Sequence, residues 1–593
     1  MIKIIKFLKP YWLWLIFFLA LIVVYVLATL QLPDYMARIV NDGILLQNNS
    51  VVIQTGLLML AFSLLGGAAS IGVSYFASRI GSGFARDIRE KVFSQVEDFS
   101  LTEFNRFSTS SLITRSTNDI QQIQMVMIMI LRQVVQAPLM GIIAIFKAYQ
   151  TAPSLSWIIA LAVILMLGLI IIIFSIALPK FKLLQKLVDR LNLVTRENLT
   201  GLRVIRAFNN EKIEEKKFED ANKILTDTNL FVNRLMIVMM PVLILVFNFA
   251  ALAIVWFGAH LVSLDKLQIG SMLAFMQYAM QIIGSFLMFS FVFIILPRAS
   301  VSIKRVMEVI ETKPKIKDPT NPKRPKKSFG LVEFKSVTFS YPVADVPVIC
   351  NISFTAEPGQ TTAIIGSTGS GKSTLINLIP RFYDVTGGTI LIDGVDVREY
   401  KLEDLYSKIG YVPQRGVLFS GTVKDNIKYG APQATALEVA KAAETSQSAD
   451  FIKNLTGAFE APISQGGANV SGGQKQRLSI ARAIIKKPEI YIFDDSFSAL
   501  DFKTDSTLRQ ALAAEVGQKT VIIVAQRINT VLLADKIIVL DEGKIAGIGN
   551  HAQLMKKSKI YREIASSQLS EEELANYESA TQTPQMNLRG TND

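Results

Sequence analysis

The chain has 593 residues, of which 50% are hydrophobic and only 19% charged, with a mean hydropathy of +0.36. So apolar a composition excludes a purely soluble globular protein and calls for a membrane part joined to a soluble one. The net charge of +13 is assigned to basic residues flanking membrane spans rather than to a nucleic-acid surface, a single cysteine (Cys350) excludes an internal disulfide, and two histidines (His260, His551) exclude a histidine-rich metal site.

The chain opens on MIKIIKFLKPY, a short basic amphipathic stretch suited to the membrane surface. Six apolar stretches follow, at about 12–33, 52–77, 124–147, 155–178, 236–262 and 269–296. Each reaches the roughly 20 residues needed to cross a hydrocarbon core. The first is too long for the apolar region of a signal peptide and lacks a cleavage site. Arg79, Arg86, Arg89, Lys91, Arg106 and Arg115 lie between the second and third stretches, and the connection 179–235 is richer still. The loops near 34–51, 149–154 and 263–268 hold only Arg38 and Lys266. The long basic connections and both termini are therefore expected in the cytoplasm.

Those connections carry helical periodicity, as in Phe84, Ile88, Val92, Phe93 and Val96. Membrane helices are thus expected to continue past the bilayer as rods, with turns near 101–107 and 201–208 placed to touch a cytoplasmic domain. The expected division is a transmembrane domain over 1–310, a Pro/Lys-rich linker over 311–329, and a nucleotide-binding domain over 330–567. A polar tail over 568–593, expected to be frayed or disordered, completes it. In the third part, β-branched runs such as TTAIIG, IYIFDD and TVIIVAQ alternate with helical segments, which predicts an α/β domain with a mainly parallel sheet.

Residues 366–374 read GSTGSGKST, after the strand TTAIIG and before the apolar run LINLI. This is the phosphate-binding loop in the strand–loop–helix context it needs. Gly366, Gly369 and Gly371 let the backbone N–H groups of Ser367, Thr368, Ser370 and Thr374 turn toward phosphate oxygens. Lys372 is expected on the β/γ-phosphates and Ser373 on Mg2+. The strand IYIFD ends in Asp494, a second carboxylate suited to Mg2+, and Asp495 follows it. ATP and Mg2+ are the expected cofactors.

Between these features stands VSGGQKQRLSIARA (470–483). This string resembles the signature motif of ABC transporter nucleotide-binding domains. The order of the other parts matches as well, so the whole chain, about 10–565, resembles a half-transporter of the ABC exporter type. The resemblance implies that Tyr341 stacks on adenine and that Gln414 contacts Mg2+ and the membrane domain. It further implies that Asp501, in SALD, belongs to the D-loop. Ser471, Gly472, Gly473 and Gln474 would face the γ-phosphate held by a second chain, because in that family two nucleotide domains clamp ATP head to tail.

Two positions depart from the family pattern. The residue after the Mg2+-linked aspartate is ordinarily a glutamate that polarises water; here it is Asp495, one methylene shorter. The switch histidine is replaced by Gln526 in VIIVAQRINT, and an amide cannot carry an imidazolium charge. General-base catalysis contributes about 10²–10⁴-fold and tolerates little misplacement. Asp495, Gln526 and Lys372 are the candidate catalytic residues of a site expected to hold ATP more than to cleave it. An intact signature beside an impaired site suits one subunit of a heterodimeric bacterial exporter. The aromatic, Met and amide side chains of 271–293 suit amphipathic, multidrug-type substrates. A homodimeric lipid or peptide exporter and an ATP-gated channel or regulator are the alternatives. The expected location is the bacterial cell membrane.

Overall fold

The computed structural model describes residues 2–342 and 344–569. The expected tail beyond Leu569 lies outside the described residues. Two compact units result: Met1–Glu97 with Ser108–Thr312, and Asp98–Phe107 with Lys313–Asp593.

Among the described residues the first unit is helical and holds six helical segments long and apolar enough to cross a membrane. They are built on α1 (Trp12–Arg38), α2 (Asn49–Glu97), a third rod, α7 (Ser156–Ala207), α8 (Glu211–Ser263) and α9 (Ile269–Glu311). The third rod runs through α4 (Thr109–Ser116), α5 (Asn118–Met129) and α6 (Val135–Thr151). α3 (Leu101–Phe107) belongs to the second unit. At 1.5 Å per residue the 52 residues of α7 extend about 78 Å, far beyond a hydrocarbon core of about 30 Å. The rods expected from the amphipathic connections are therefore present. Their outward faces carry large apolar side chains, among them Leu64, Ile71, Ile164, Ile171 and Trp256, as lipid-facing helices do.

Helices approach closely where side chains are smallest. A Cβ at Gly83 would strike the Tyr11 hydroxyl, and one at Gly270 would strike the Ala37 carbonyl oxygen. A π-helical turn at Ile130–Val134 joins α5 to α6. Pro138 lacks the N–H that the Val134 carbonyl would otherwise meet, and the backbone widens just there.

Among the described residues the second unit has three sheets. β1 (Val332–Phe339), β2 (Ile349–Ala356), β4 (Gly387–Ile392) and β5 (Val395–Asp396) form an antiparallel sheet in the order β2-β1-β4-β5. The central sheet has six strands in the order β12-β11-β3-β10-β9-β6. They are β3 (Thr361–Gly366), β6 (Ile409–Val412), β9 (Ile490–Asp494), β10 (Thr520–Val524), β11 (Lys536–Asp541) and β12 (Lys544–Gly549). All pairings are parallel except the β11–β12 hairpin at the edge. β7 (Gly421–Thr422) and β8 (Pro462–Ile463) make a short ribbon. Both faces of the central sheet are covered, so its strands are apolar at nearly every position; all five residues of β9 are buried. The sheet therefore delivers its polar residues at strand ends, where β3, β9 and β10 run parallel and finish side by side. The packed core extends to Leu569.

Candidate nucleotide site

β3 ends at Gly366, and the loop Ser367–Gly371 leads into α10 (Lys372–Asn377). Gly369 and Gly371 have φ of 86° and 96°, left-handed conformations that a side chain would strain. Ser367, Thr368 and Gly369 are exposed, which leaves the loop open to a ligand, while Ser370, Lys372 and Thr374 are buried. The Lys372 ammonium donates to the carbonyls of Gly366 and Ser367 at 2.8 and 2.7 Å, so it closes the loop on itself. Burial pulls its pKa below the ordinary lysine value, against the attraction of Asp495 and Asp494.

Neighbouring strand ends complete the pocket. Ser373 Oγ donates to Asp494 Oδ1 at 2.9 Å. Two oxygen-bearing side chains thus converge beside the phosphate loop, a donor set that fits Mg2+ together with phosphate oxygens and water. Burial raises the carboxyl pKa of both Asp494 and Asp495; the Ser373 hydroxyl opposes it at Asp494, and the Gln414 amide opposes it at Asp495. Asp495 lies just past β9 with φ of 46°, a left-handed position that aspartate tolerates better than most residues. Its N–H donates to the Val524 carbonyl at 3.0 Å, and its own carbonyl accepts from Ser498 Oγ at 2.8 Å.

The Asp495 side chain is bound on one oxygen from two directions. Oδ2 accepts from Gln526 Nε2 at 2.9 Å and from Gln414 Nε2 at 3.3 Å. The structure thus joins the two departures found in the sequence by a direct hydrogen bond. Gln526 stands two residues past the end of β10, and its exposed side chain reaches back across the strand ends.

Tyr341 is half-buried and donates to or accepts from Thr374 Oγ1 at 2.9 Å. It meets Tyr383 edge-on at 5.4 Å between ring centroids and Phe339 at 5.0 Å. The Tyr383 hydroxyl accepts from Asn105 Nδ2 of α3 at 3.2 Å, and Leu101 of the same helix packs against the core. Residues 101–107, expected as a turn, form the helix α3, which meets the aromatic group at the mouth of the site through Tyr383. Sequence reading did not single out Tyr383.

The signature residues sit elsewhere. Ser471 caps α11 (Gly472–Ile485): its Oγ accepts from Gln474 N–H at 3.3 Å, and Gln474 Oε1 accepts from Ser471 N–H at 2.9 Å. Ser471 and Gly472 are exposed at this helix start. Asp501 caps α12 (Phe502–Val516) by accepting from Thr504 N–H at 3.0 Å, which holds its carboxyl below the usual range. Among the described residues, no hydrogen bond joins Ser471–Gln474 or Asp501 to the phosphate loop. The buried Gln476, also missed from sequence, donates to the Pro413 carbonyl at 2.9 Å and ties α11 to the segment carrying Gln414.

A polar cluster in the membrane unit centres on Asp34. Asp34, expected in a loop, is inside α1; its Oδ2 accepts from Lys147 of α6 and its Oδ1 from Tyr278 of α9, both at 2.5 Å. Three helices are thereby fastened together at one point.

Phosphate loop and strand-end carboxylates define a P-loop ATPase, and the apolar helices on the same chain attach it to a membrane. Comparison with known proteins narrows the class. The profile described as the ABC transporter transmembrane region matches residues 13–286, and that described as ABC transporter matches 349–498. An uncharacterized ABC transporter ATP-binding protein of Mycobacterium tuberculosis is 43% identical over 546 residues, 91% of this chain and 94% of that one. The ATP-dependent lipid A-core flippase of Pseudomonas fluorescens is 32% identical over 510 residues, 85% and 84% of the two chains. The solved structure of a bacterial Atm1-family ABC exporter with ATP bound superposes with a TM-score of 0.79 at 25% identity, covering 95% of this chain and 99% of that one. The chain belongs to the ABC transporter family and has the exporter fold: a multi-pass membrane protein whose ATPase domain hydrolyses ATP coupled to transport.

Proposed function

We propose that this chain is one half of a heterodimeric exporter of amphipathic small molecules in the bacterial cell membrane, with both termini cytoplasmic, and that its own phosphate-loop site retains ATP. The observation that carries this reading is the engagement of Asp495 Oδ2 by both Gln414 and Gln526. A general base needs an oxygen within hydrogen-bond reach of the attacking water. A carboxylate one methylene short, with one oxygen already shared by two amides, is poorly set to hold that water in line.

The remaining parts suit binding. Lys372 exchanges its two carbonyl partners for the β/γ-phosphates, Tyr341 offers a ring to adenine, and the loop amides receive phosphate oxygens. Mg2+, held by Ser373 with Asp494 and Gln414, would neutralise phosphate charge. Ser471, Gly472 and Asp501 are exposed at helix starts, with Gly473 and Gln474 half-buried beside them, and together they would face a partner's nucleotide, so this chain completes a competent site on a second half-transporter. Leu199, Val204 and Phe208, 72%, 60% and 72% exposed, give the far end of α7 and the turn after it an apolar surface for that second chain. Export of a lipid is the second reading, favoured by the 32% identity to a lipid A-core flippase.

The test is the chemical state of the nucleotide this chain retains. The full chain is loaded with ATP and Mg2+, freed rapidly of unbound nucleotide, and extracted. Retained ATP supports the proposal; retained ADP throughout contradicts it.

A further inference from the structure

We propose that Gln568 is a positioning residue of the nucleotide site, clamping the loop that carries Gln526; this rests on the reading above that Gln526 faces the γ-phosphate. β10 ends at Val524, Ala525 N–H still pairs with the Ile364 carbonyl at 3.1 Å, and the chain then leaves the sheet. α13 (Ile528–Val531) begins two residues after Gln526, and its N-cap, Arg527, supplies no side-chain cap. The first N–H of a helix has no partner within that helix. Here a distant side chain provides one. Gln568 Oε1 accepts from Ile528 N–H at 2.9 Å, and Gln568 Nε2 donates to the Gln526 carbonyl at 2.9 Å. One carboxamide thus satisfies the backbone on both sides of Arg527, a task that needs a donor and an acceptor on the same planar group.

The clamp is itself anchored. α15 (Lys559–Ser566) buries Tyr561 and Ala565 completely, and Leu569 is 7% exposed in the same core. The Tyr561 hydroxyl is 2.8 Å from His551 Nδ1 on α14 (His551–Lys557). Gln568 N–H donates to the Ala565 carbonyl at 3.1 Å and Leu569 N–H to the same oxygen at 2.9 Å. The carboxamide therefore projects from a fixed helix end.

The consequence is mechanical. The Gln526 side chain donates to Asp495. To meet a γ-phosphate the side chain turns from that carboxylate, wholly or with one of its two Nε2 protons still on it. With its own carbonyl and the Ile528 N–H pinned, the exchange is a side-chain rotation about a fixed backbone rather than a loop rearrangement. Without the clamp the loop wanders, and misplacement of about 1 Å in a catalytic group can cost a hundredfold.

The experiment compares the full-length wild type with Gln568→Ala, Gln568→Glu, Gln526→Ala and the double alanine variant in the native membrane assembly. It reads amide hydrogen exchange over 525–530 and the lifetime of retained ATP. For Gln568→Ala, Ile528 should exchange about tenfold faster while the rest of the domain and its thermal midpoint are unchanged. The ATP lifetime should fall about fivefold, as for loss of hydrogen bonds of ordinary strength. Gln568→Glu keeps the acceptor and loses the donor, so it should fall between. The double variant should be no worse than Gln526→Ala, because both act through one group. Unchanged exchange at Ile528, loosening spread over the whole domain, or losses that multiply in the double variant would overturn the clamp. A silent Gln526→Ala would overturn the underlying reading of the site, whereas an active Gln526→Ala beside a silent Gln568→Ala would overturn the clamp alone.

Discussion

At the scale of single residues, Asp495 and the two amides that share its Oδ2 decide whether this site cleaves ATP or keeps it in the proposed reading. Asp495→Glu restores the missing methylene and should raise ATP turnover at this site several-fold, about one step of the 10²–10⁴ available to general-base catalysis; unchanged turnover would mean that Gln526 sets the limit. The neighbouring Asp494 makes a second, pH-linked prediction. Its carboxyl pKa is raised by burial, with Ser373 opposing. A carboxylate whose folded pKa exceeds its unfolded one penalises folding fully above the raised value, and the penalty vanishes as pH falls below the ordinary value of about 3.9. Without nucleotide or Mg2+, Asp494→Asn should therefore melt at a higher temperature than wild type at neutral pH. The gap should close in melting curves recorded toward pH 4. Lys372 and Ser373 could be picked out from the phosphate-loop string and Asp494 as a strand-end aspartate, whereas Gln414, Gln526 and the departure at Asp495 were singled out only through the family resemblance. Their mutual hydrogen bonds were not legible, since 31 positions separate Gln526 from Asp495 and only the parallel pairing of β9 with β10 brings them together.

At the scale of elements, hydropathy located all six spans and the long rods, because 20 apolar residues in a row and an amphipathic stripe are one-dimensional signals. Asp34 escaped for the same reason: hydropathy alone ends the first span at a charge, whereas α1 runs on to Arg38 with Asp34 paired to Lys147 and Tyr278. Likewise Gln568 fell in the expected tail, although the core continues through Leu569. The Asp34 cluster has a measurable signature. Removing one partner leaves the other charge stranded among helices, whereas replacing both with apolar or neutral groups does not. Asp34→Ala should lower the thermal midpoint of the detergent-solubilised protein by several degrees, and the Asp34→Asn/Lys147→Met double variant should recover much of the loss. Equal losses in the two would mean that the pair contributes nothing beyond its packing.

At the scale of the whole molecule, the proposed reading gives one chain two unequal halves of chemistry: a phosphate-loop site in which Asp495 would be a short base and Gln526 an amide switch, and a signature capping α11 with Ser471 and Gly472 exposed. Two such signatures facing two such sites would make a pump with no good general base anywhere, so the intact signature makes physical sense beside a companion that supplies one. The most direct measurement is steady-state ATP hydrolysis and uphill transport by this polypeptide alone, purified and reconstituted in vesicles with ATP and Mg2+. The account predicts bound ATP, little turnover and no gradient-opposing export until a second half-transporter is added. Brisk hydrolysis coupled to export by the single polypeptide would contradict it.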